Sequence, residues 1–132
     1  MMMLILLAAM VLSTGLCIYH LNQGKRVLLA PLFIANVSEQ TKRMLLGVFY
    51  FQTIFFLIST ATFLVCAVAL IPQMYAFSLL LFIGLNYSIF AIWQLYIASL
   101  SPPNSGLMLS LQALVFLLIG ILSMLEPLMA MM

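Results

Sequence analysis

Residues 44–71 read MLLGVFYFQTIFFLISTATFLVCAVALI, a stretch without a charged side chain that ends immediately before Pro72. A helix that crosses a membrane needs roughly 20 predominantly apolar residues. Proline stops a helix because it lacks a backbone N–H. The stretch is therefore predicted to be a transmembrane helix.

Three further stretches of the chain are apolar, uncharged and long enough to cross a bilayer. They are predicted as spans at residues 1–21, 74–98 and 106–125. Short turns join the last three spans, so these neighbours are expected to run in opposite directions. The sequence predicts one domain over residues 1–132, an all-α integral membrane four-helix bundle with up-down antiparallel topology and a longer loop between its first two helices.

The composition excludes several classes of protein. Of the 132 residues, 67% are hydrophobic and 5% are charged, whereas about a quarter of the residues in a soluble domain are charged. The 4 Lys and Arg residues are too few to neutralise a useful run of phosphates, so we expect no nucleic-acid binding. The predicted spans contain no Asp, Glu, Lys or Arg, which argues against a proton-coupled transporter.

The sequence offers little for catalysis or metal binding. With 1 His, 2 Cys and 2 acidic residues, it contains no Ser–His–acid constellation and no cluster of metal ligands. Cys17 and Cys66 are expected at different depths in the membrane, too far apart for a disulfide. We therefore predict a protein that is not an enzyme and that has no catalytic residues, metal ion or cofactor.

The basic residues predict the orientation of the chain. All 4 lie between the first two spans, in residues 22–43. Basic loops stay in the cytoplasm, which places this loop inside the cell and both termini outside. Ser38 is a suitable N-cap, and Glu39 can pair with a basic residue three or four positions later, so the second helix is expected to begin near Ser38. The basic residues are Lys25, Arg26, Lys42 and Arg43.

His20 ends the first span next to this loop, and with the four basic side chains it is predicted to form a mouth and anchor at the cytoplasmic surface. We expect a mostly neutral imidazole that forms a hydrogen bond across the bundle or to the loop backbone. The apolar stretch at residues 27–35, interrupted by Pro31, is too short to cross the membrane. It is expected either to lie in the headgroup region or to form a re-entrant or docking element.

Each predicted span carries one stripe of small or weakly polar residues at helical spacing. Lipid tails are as apolar as leucine, so membrane helices associate through small residues and interhelical hydrogen bonds. These stripes are therefore expected to face one another in a packed bundle. In chain order they are Ala9, Ser13 and His20; Gln52, Ser59 and Cys66; Gly84, Ser88, Ala91 and Ala98; and Gly106, Ser110, Ala113 and Gly120.

Three glutamines are predicted at a common depth. Gln52, Gln94 and Gln112 each lie several residues from the cytoplasmic end of a span, roughly 8–12 Å below the inner surface at 1.5 Å per residue. An unpaired amide in hydrocarbon is costly, so these side chains should face inward. They predict either hydrogen bonds that hold the helices together or a polar cavity open to the cytoplasm. The same alternatives apply to Asn86, near mid-membrane.

The segment His20-x3-Gly24-Lys25-Arg26-x-Leu28-Leu29-Ala30-Pro31-Leu32, followed by Thr41-Lys42-Arg43, forms a histidine-ended helix before a basic, Leu-rich loop. This pattern, over about the first 50 residues, resembles small four-span bacterial inner-membrane proteins of unassigned function. The resemblance implies a bacterial inner membrane and implies no activity. Proteins of that kind often carry an aromatic–histidine pair early in the second span. This chain has Phe49-Tyr50-Phe51 there, which argues against paired-histidine chemistry.

Two functional hypotheses follow from the sequence. The first is a non-enzymatic multi-pass membrane protein that acts in the lipid bilayer through helix–helix interaction, as a homo-oligomer or as a subunit of a membrane complex. The alternative is a small oligomeric channel or uncoupled facilitator lined by the intramembrane Gln and Asn side chains. A holin-like pore suits the size of the chain, but it would be expected to have a charged tail.

Overall fold

The structure, a computed structural model, describes residues 2–132 and is all-helical over that range. Four of its helices, Met3–Ile34, Glu39–Ala67, Gln73–Leu100 and Pro103–Met131, are long and apolar enough to cross a membrane. The chain is therefore a multi-pass membrane protein with an all-α fold, as predicted. The first predicted span starts at residue 1, which lies outside the described residues. The elements are α1 (Met2–Gln23), a π-helical segment (Gly24–Leu29), α2 (Ala30–Ile34), α3 (Glu39–Ala67), α4 (Gln73–Leu100) and α5 (Pro103–Met131).

The segment predicted as a loop, residues 22–43, is mostly helical. The first helix continues without interruption through the π-helical segment and α2, and only residues 35–38 separate it from α3. Pro31 lies in the first turn of α2, where its missing N–H would break the α-helical ladder. In the preceding turn the Ala30 N–H donates to Lys25 O, five residues back, so the wider turn carries the helix past the proline.

The connection between α3 and α4 begins earlier than predicted, because α3 ends at Ala67 instead of at residue 71. Leu70 N–H donates to Val65 O and Ala69 N–H donates to Cys66 O, the two bonds of a Schellman motif. Ala69 occupies the left-handed position with φ of 56°, where glycine is the usual residue. The stop is therefore made by backbone hydrogen bonds, and Pro72 serves as the N-cap of α4.

α5 extends beyond the predicted span 106–125 at both ends. It starts at Pro103, which suits a first helical position because that N–H has no intrahelical partner. At the other end it continues past Glu126 to Met131, with Pro127 inside the helix and buried. Proline is tolerated within membrane helices where neighbouring helices pack around it.

The four long helices form a bundle with two dominant pairs. α4 packs most extensively against α5, and α1 packs against α3. α1 also contacts α5, whereas α3 and α4, although joined by a short turn, touch sparsely. The centre is filled by aromatic side chains from three helices: Phe56 of α3, Tyr87 of α4 and Phe116 of α5 are each at most 1% exposed.

The α4–α5 contact brings two backbones close together. A Cβ built on Gly120 would lie 2.7 Å from Ser88 Oγ and 3.0 Å from Gly84 O, and a Cβ on Gly84 would lie 2.9 Å from Gly120 O. Real Cβ atoms essentially never lie closer than 3.0 Å to another atom, so a side chain at either position would force the two helices to shift. Ser123 Oγ of α5 adds a hydrogen bond of 2.7 Å to Leu80 O of α4.

The small-residue stripes predicted from the sequence lie largely inside the bundle. Most of their members are buried, and only a few, among them Gln52, Ser88 and Ser110, are partly exposed. The buried members are Ala9, Ser13, His20, Ser59, Cys66, Gly84, Ala91, Ala98, Gly106, Ala113 and Gly120.

Candidate functional site

A cavity of about 590 Å³ opens at the end of the bundle that carries the basic residues. We call it the vestibule. Its walls come from α1 with the π-helical segment, from the first half of α3, and from the start of α5. Its polar lining consists of Tyr19, His20, Gln23, Gln52, Asn104, Ser105 and Gln112, and its apolar lining includes Val27, Leu28, Leu45, Val48, Met108 and Leu109. A volume of several hundred Å³ with a few polar groups on apolar walls is typical of a ligand pocket.

His20 is held against one wall of the vestibule by three interactions. Its Nε2 lies 3.3 Å from Phe49 O, to which it donates a hydrogen bond. Its ring stacks on Phe49 with centroids 4.4 Å apart and meets Phe56 edge-on at 5.3 Å. The side chain is 8% exposed. This placement fits the predicted bond across the bundle.

Gly24 shapes the same wall. It opens the π-helical segment, and a Cβ built on it would overlap the Phe49 ring. The absence of a side chain therefore lets the Phe49 ring lie against the helix backbone, which fixes the ring on which His20 stacks.

The structure joins two of the three predicted glutamines. Gln94 Nε2 of α4 donates to Gln112 Oε1 of α5 at 2.8 Å, and both side chains are partly buried. Gln112 also lines the vestibule, together with Gln52 of α3. Gln112 therefore has both of the predicted roles. It forms a hydrogen bond between two helices, and it lines a polar cavity.

Asn86 lies away from this group. Its Nδ2 donates to Phe82 O of its own helix at 2.8 Å, and it does not line the vestibule. Its amide is therefore paired locally, one turn back along α4, and not with Gln94 or Gln112.

Two of the four basic side chains lie beside the vestibule on the π-helical segment, and the other two lie at the start of α3. Lys25 and Arg26 project from the π-helical segment and are exposed, and Arg26 Nη2 lies 3.5 Å from Oε1 of Gln23, a lining residue. Lys42 pairs with Glu39 at 3.4 Å and donates to Phe33 O at 3.2 Å, so it fastens the end of α2 to the start of α3.

The beginning of α3 agrees with its prediction. Ser38 is the N-cap, with its Oγ accepting from Thr41 N–H at 3.2 Å. Arg43, on the first turns of α3, is exposed.

A buried polar network that sequence reasoning missed lies deeper in the bundle. Ser13 Oγ of α1 is 3.1 Å from Tyr87 Oη of α4 and 2.8 Å from Thr60 Oγ1 of α3. Around it, the Phe56, Tyr87 and Phe116 rings are separated by 5.9–6.2 Å between centroids. The sequence predicts that Ser13 faces the bundle, and a tyrosine in mid-span such as Tyr87 needs a partner for its hydroxyl, but neither signal identifies the bond between them.

Comparison of the chain with family models, with curated proteins and with solved structures finds no match. Across residues 2–132, no three His, Cys, Asp or Glu side chains are grouped so that they could hold one metal ion. Cys17 and Cys66 are free and buried. The geometry supports reversible binding of a molecule in the vestibule, where amide, hydroxyl and phenol groups line apolar walls.

Proposed function

We propose that this chain is a non-enzymatic multi-pass membrane protein that acts by binding other membrane components, and that the vestibule is where it binds them. The observation that carries the proposal is the cavity of about 590 Å³ between α1, α3 and α5, with polar groups on apolar walls. We further propose an up-down antiparallel bundle. In support, His20 contacts Phe49 while Ser13, earlier in α1, contacts Thr60, later in α3.

The buried centre of the bundle supports a binding protein over a pore through a single copy. Beyond the vestibule, the rings of Phe56, Tyr87 and Phe116 fill the space between the helices and are at most 1% exposed. A conducting path would need these rings to move apart. A flux assay in liposomes tests the channel hypothesis directly: we expect no flux, whereas a channel would show flux that Gln94→Leu abolishes.

We propose a bacterial inner-membrane location with the vestibule at the cytoplasmic face and both termini outside. The support is the placement of Lys25, Arg26 and Arg43 on the exposed surface at this end. Cysteine labelling in intact cells tests it: Ser38→Cys should react only after the cell is opened, and Gln73→Cys should react from outside. Both positions are exposed, so the reverse pattern would overturn the orientation.

Site-specific photo-cross-linking tests the binding role itself. A benzophenone amino acid at Leu28, which lines the vestibule and is 39% exposed, should give adducts with a defined membrane component in cells. The matched control is Leu85 on α4, an exposed leucine that does not line the vestibule. Equal adducts at both positions, or none at Leu28, would contradict the proposal.

A further inference from the structure

A second cavity, of about 360 Å³, continues from the vestibule along the groove between α1 and α5. Tyr19, Met108 and Gln112 line both cavities, so the two spaces adjoin. The groove is otherwise lined by Val and Leu side chains and by Gly15. At its middle is Gly15, where a built Cβ would meet no atom within 4 Å. The groove is therefore an unfilled apolar slot in the side of the bundle.

Together the two cavities match the two parts of an amphiphile, a polar head and an apolar tail. The vestibule offers amide and hydroxyl groups at the end of the bundle, and the groove offers an apolar track toward the middle of the span. The groove is narrow and apolar and begins at the vestibule, so one extended acyl chain can follow it.

The positive charge at the opening of the vestibule, which we call the rim, favours an amphiphile with an anionic headgroup. Lys25 and Arg26 are exposed beside the vestibule, and Arg26 reaches the lining residue Gln23 at 3.5 Å. Among residues 2–132, no carboxylate lines either cavity, and Glu39 is paired with Lys42. Basic side chains at the cytoplasmic end of membrane helices attract anionic lipid headgroups.

We propose that the two cavities together bind one anionic phospholipid. Its phosphate lies at the rim near Arg26 and Gln23, its glycerol region lies in the vestibule, and one acyl chain runs along the α1–α5 groove over Gly15. This inference rests on the proposed function, because it names the membrane component that the vestibule binds.

The test is native mass spectrometry of the full-length protein in mild detergent, titrated separately with dioleoyl phosphatidylglycerol and dioleoyl phosphatidylcholine. We expect one molecule of phosphatidylglycerol to bind roughly tenfold or more tightly than phosphatidylcholine, because each basic side chain contributes about fivefold towards an anionic lipid and the choline group leaves phosphatidylcholine without a net charge. Equal affinity for the two lipids in the unmodified protein would overturn the proposal.

Two variants distinguish the contribution of the groove to lipid binding from that of the basic rim. Gly15→Leu places a side chain in the groove at a position where a built Cβ meets no atom within 4 Å, and it should lower the affinity for both lipids at least fivefold. Lys25→Gln combined with Arg26→Gln should instead lower the affinity for phosphatidylglycerol much more than that for phosphatidylcholine, so that the preference for phosphatidylglycerol is lost. Ala61→Leu is the matched control, since it adds the same side chain at an exposed position of α3 that lines neither cavity. Unchanged lipid binding in Gly15→Leu, with the thermal unfolding midpoint retained, would overturn the proposal.

The two proposals fail in distinguishable ways. If phosphatidylglycerol shows no preference but Leu28 still gives adducts with a defined membrane component, the lipid assignment is wrong and the vestibule remains a binding site. If Leu28 gives no more adducts than Leu85, the proposed function is wrong as well.

Discussion

Two interfaces of α5 use glycine in opposite ways. Toward α4, Gly120 lies so close to Gly84 and Ser88 that an added Cβ would force the two helices to shift. Toward α1, a Cβ built on Gly15 would have no other atom within 4 Å. A small residue leaves space beside a membrane helix. Whether that space becomes a close helix–helix contact or a cavity depends on the distance to the neighbouring helix. The first kind of glycine lets two helices pack closely, whereas the second leaves an open groove.

The largest expected effect is the difference between Gly120→Leu and Gly15→Leu in the free energy of unfolding. Gly120→Leu should destabilise the protein by about 3 kcal/mol, because the added side chain forces two backbones apart. Gly15→Leu should change the stability by less than about 0.5 kcal/mol, as expected for a position without contacts. Unfolding in mixed micelles measures both. Similar losses in the two variants would mean that the groove is closed in the membrane.

A smaller effect is expected from the buried network between α1, α3 and α4. Tyr87→Phe removes the hydroxyl that lies 3.1 Å from Ser13 Oγ and keeps the ring, so the free energy of unfolding should fall by about 1 kcal/mol. Tyr75→Phe is the control, because Tyr75 is 59% exposed and should show no change. An equal response of both tyrosines would place the Tyr87 hydroxyl outside any hydrogen bond that stabilises the fold.

The smallest expected effect concerns the glutamines near the vestibule. A double-mutant cycle of Gln94→Leu and Gln112→Leu should give a coupling energy of about 0.6 kcal/mol, typical of interhelical hydrogen bonds in membranes. The cycle of Gln52→Leu and Gln112→Leu should give a value near zero, since the structure shows a bond of 2.8 Å only for the first of these pairs. The opposite ranking would assign the amide bond to the α3–α5 pair.

The sequence predicts the parts of this fold that depend on one helix at a time. The four apolar helices and the buried stripes follow from spacing alone, which is why Ala9, Ser13 and Gly120 are found inside. The helical ends were predicted less well, because Ala69 takes a position usually held by glycine and a π-helical turn carries the chain past Pro31.

The vestibule could be predicted only in part, because it depends on how different helices meet. His20, Gln52 and Gln112 are polar residues near one end of their spans and were identified as such. The sequence predicts a turn at Asn104 and Ser105, which follow two prolines. In the structure these residues belong to α5 and line the vestibule. The hydrogen bond between Tyr87 and Ser13 depends on the register between α1 and α4. The periodicity of one helix gives no information about that register.

The uneven contacts among the helices bear on how the protein is assembled. The most extensive contacts are within the pairs α1–α3 and α4–α5, and the turn at residues 68–72 joins two helices that touch sparsely. Each half of the chain thus forms most of its own packing, so we expect the two halves to insert as separate helical hairpins and then associate. Fragments covering residues 1–69 and 70–132, expressed together from separate reading frames, should therefore reassociate into the native bundle.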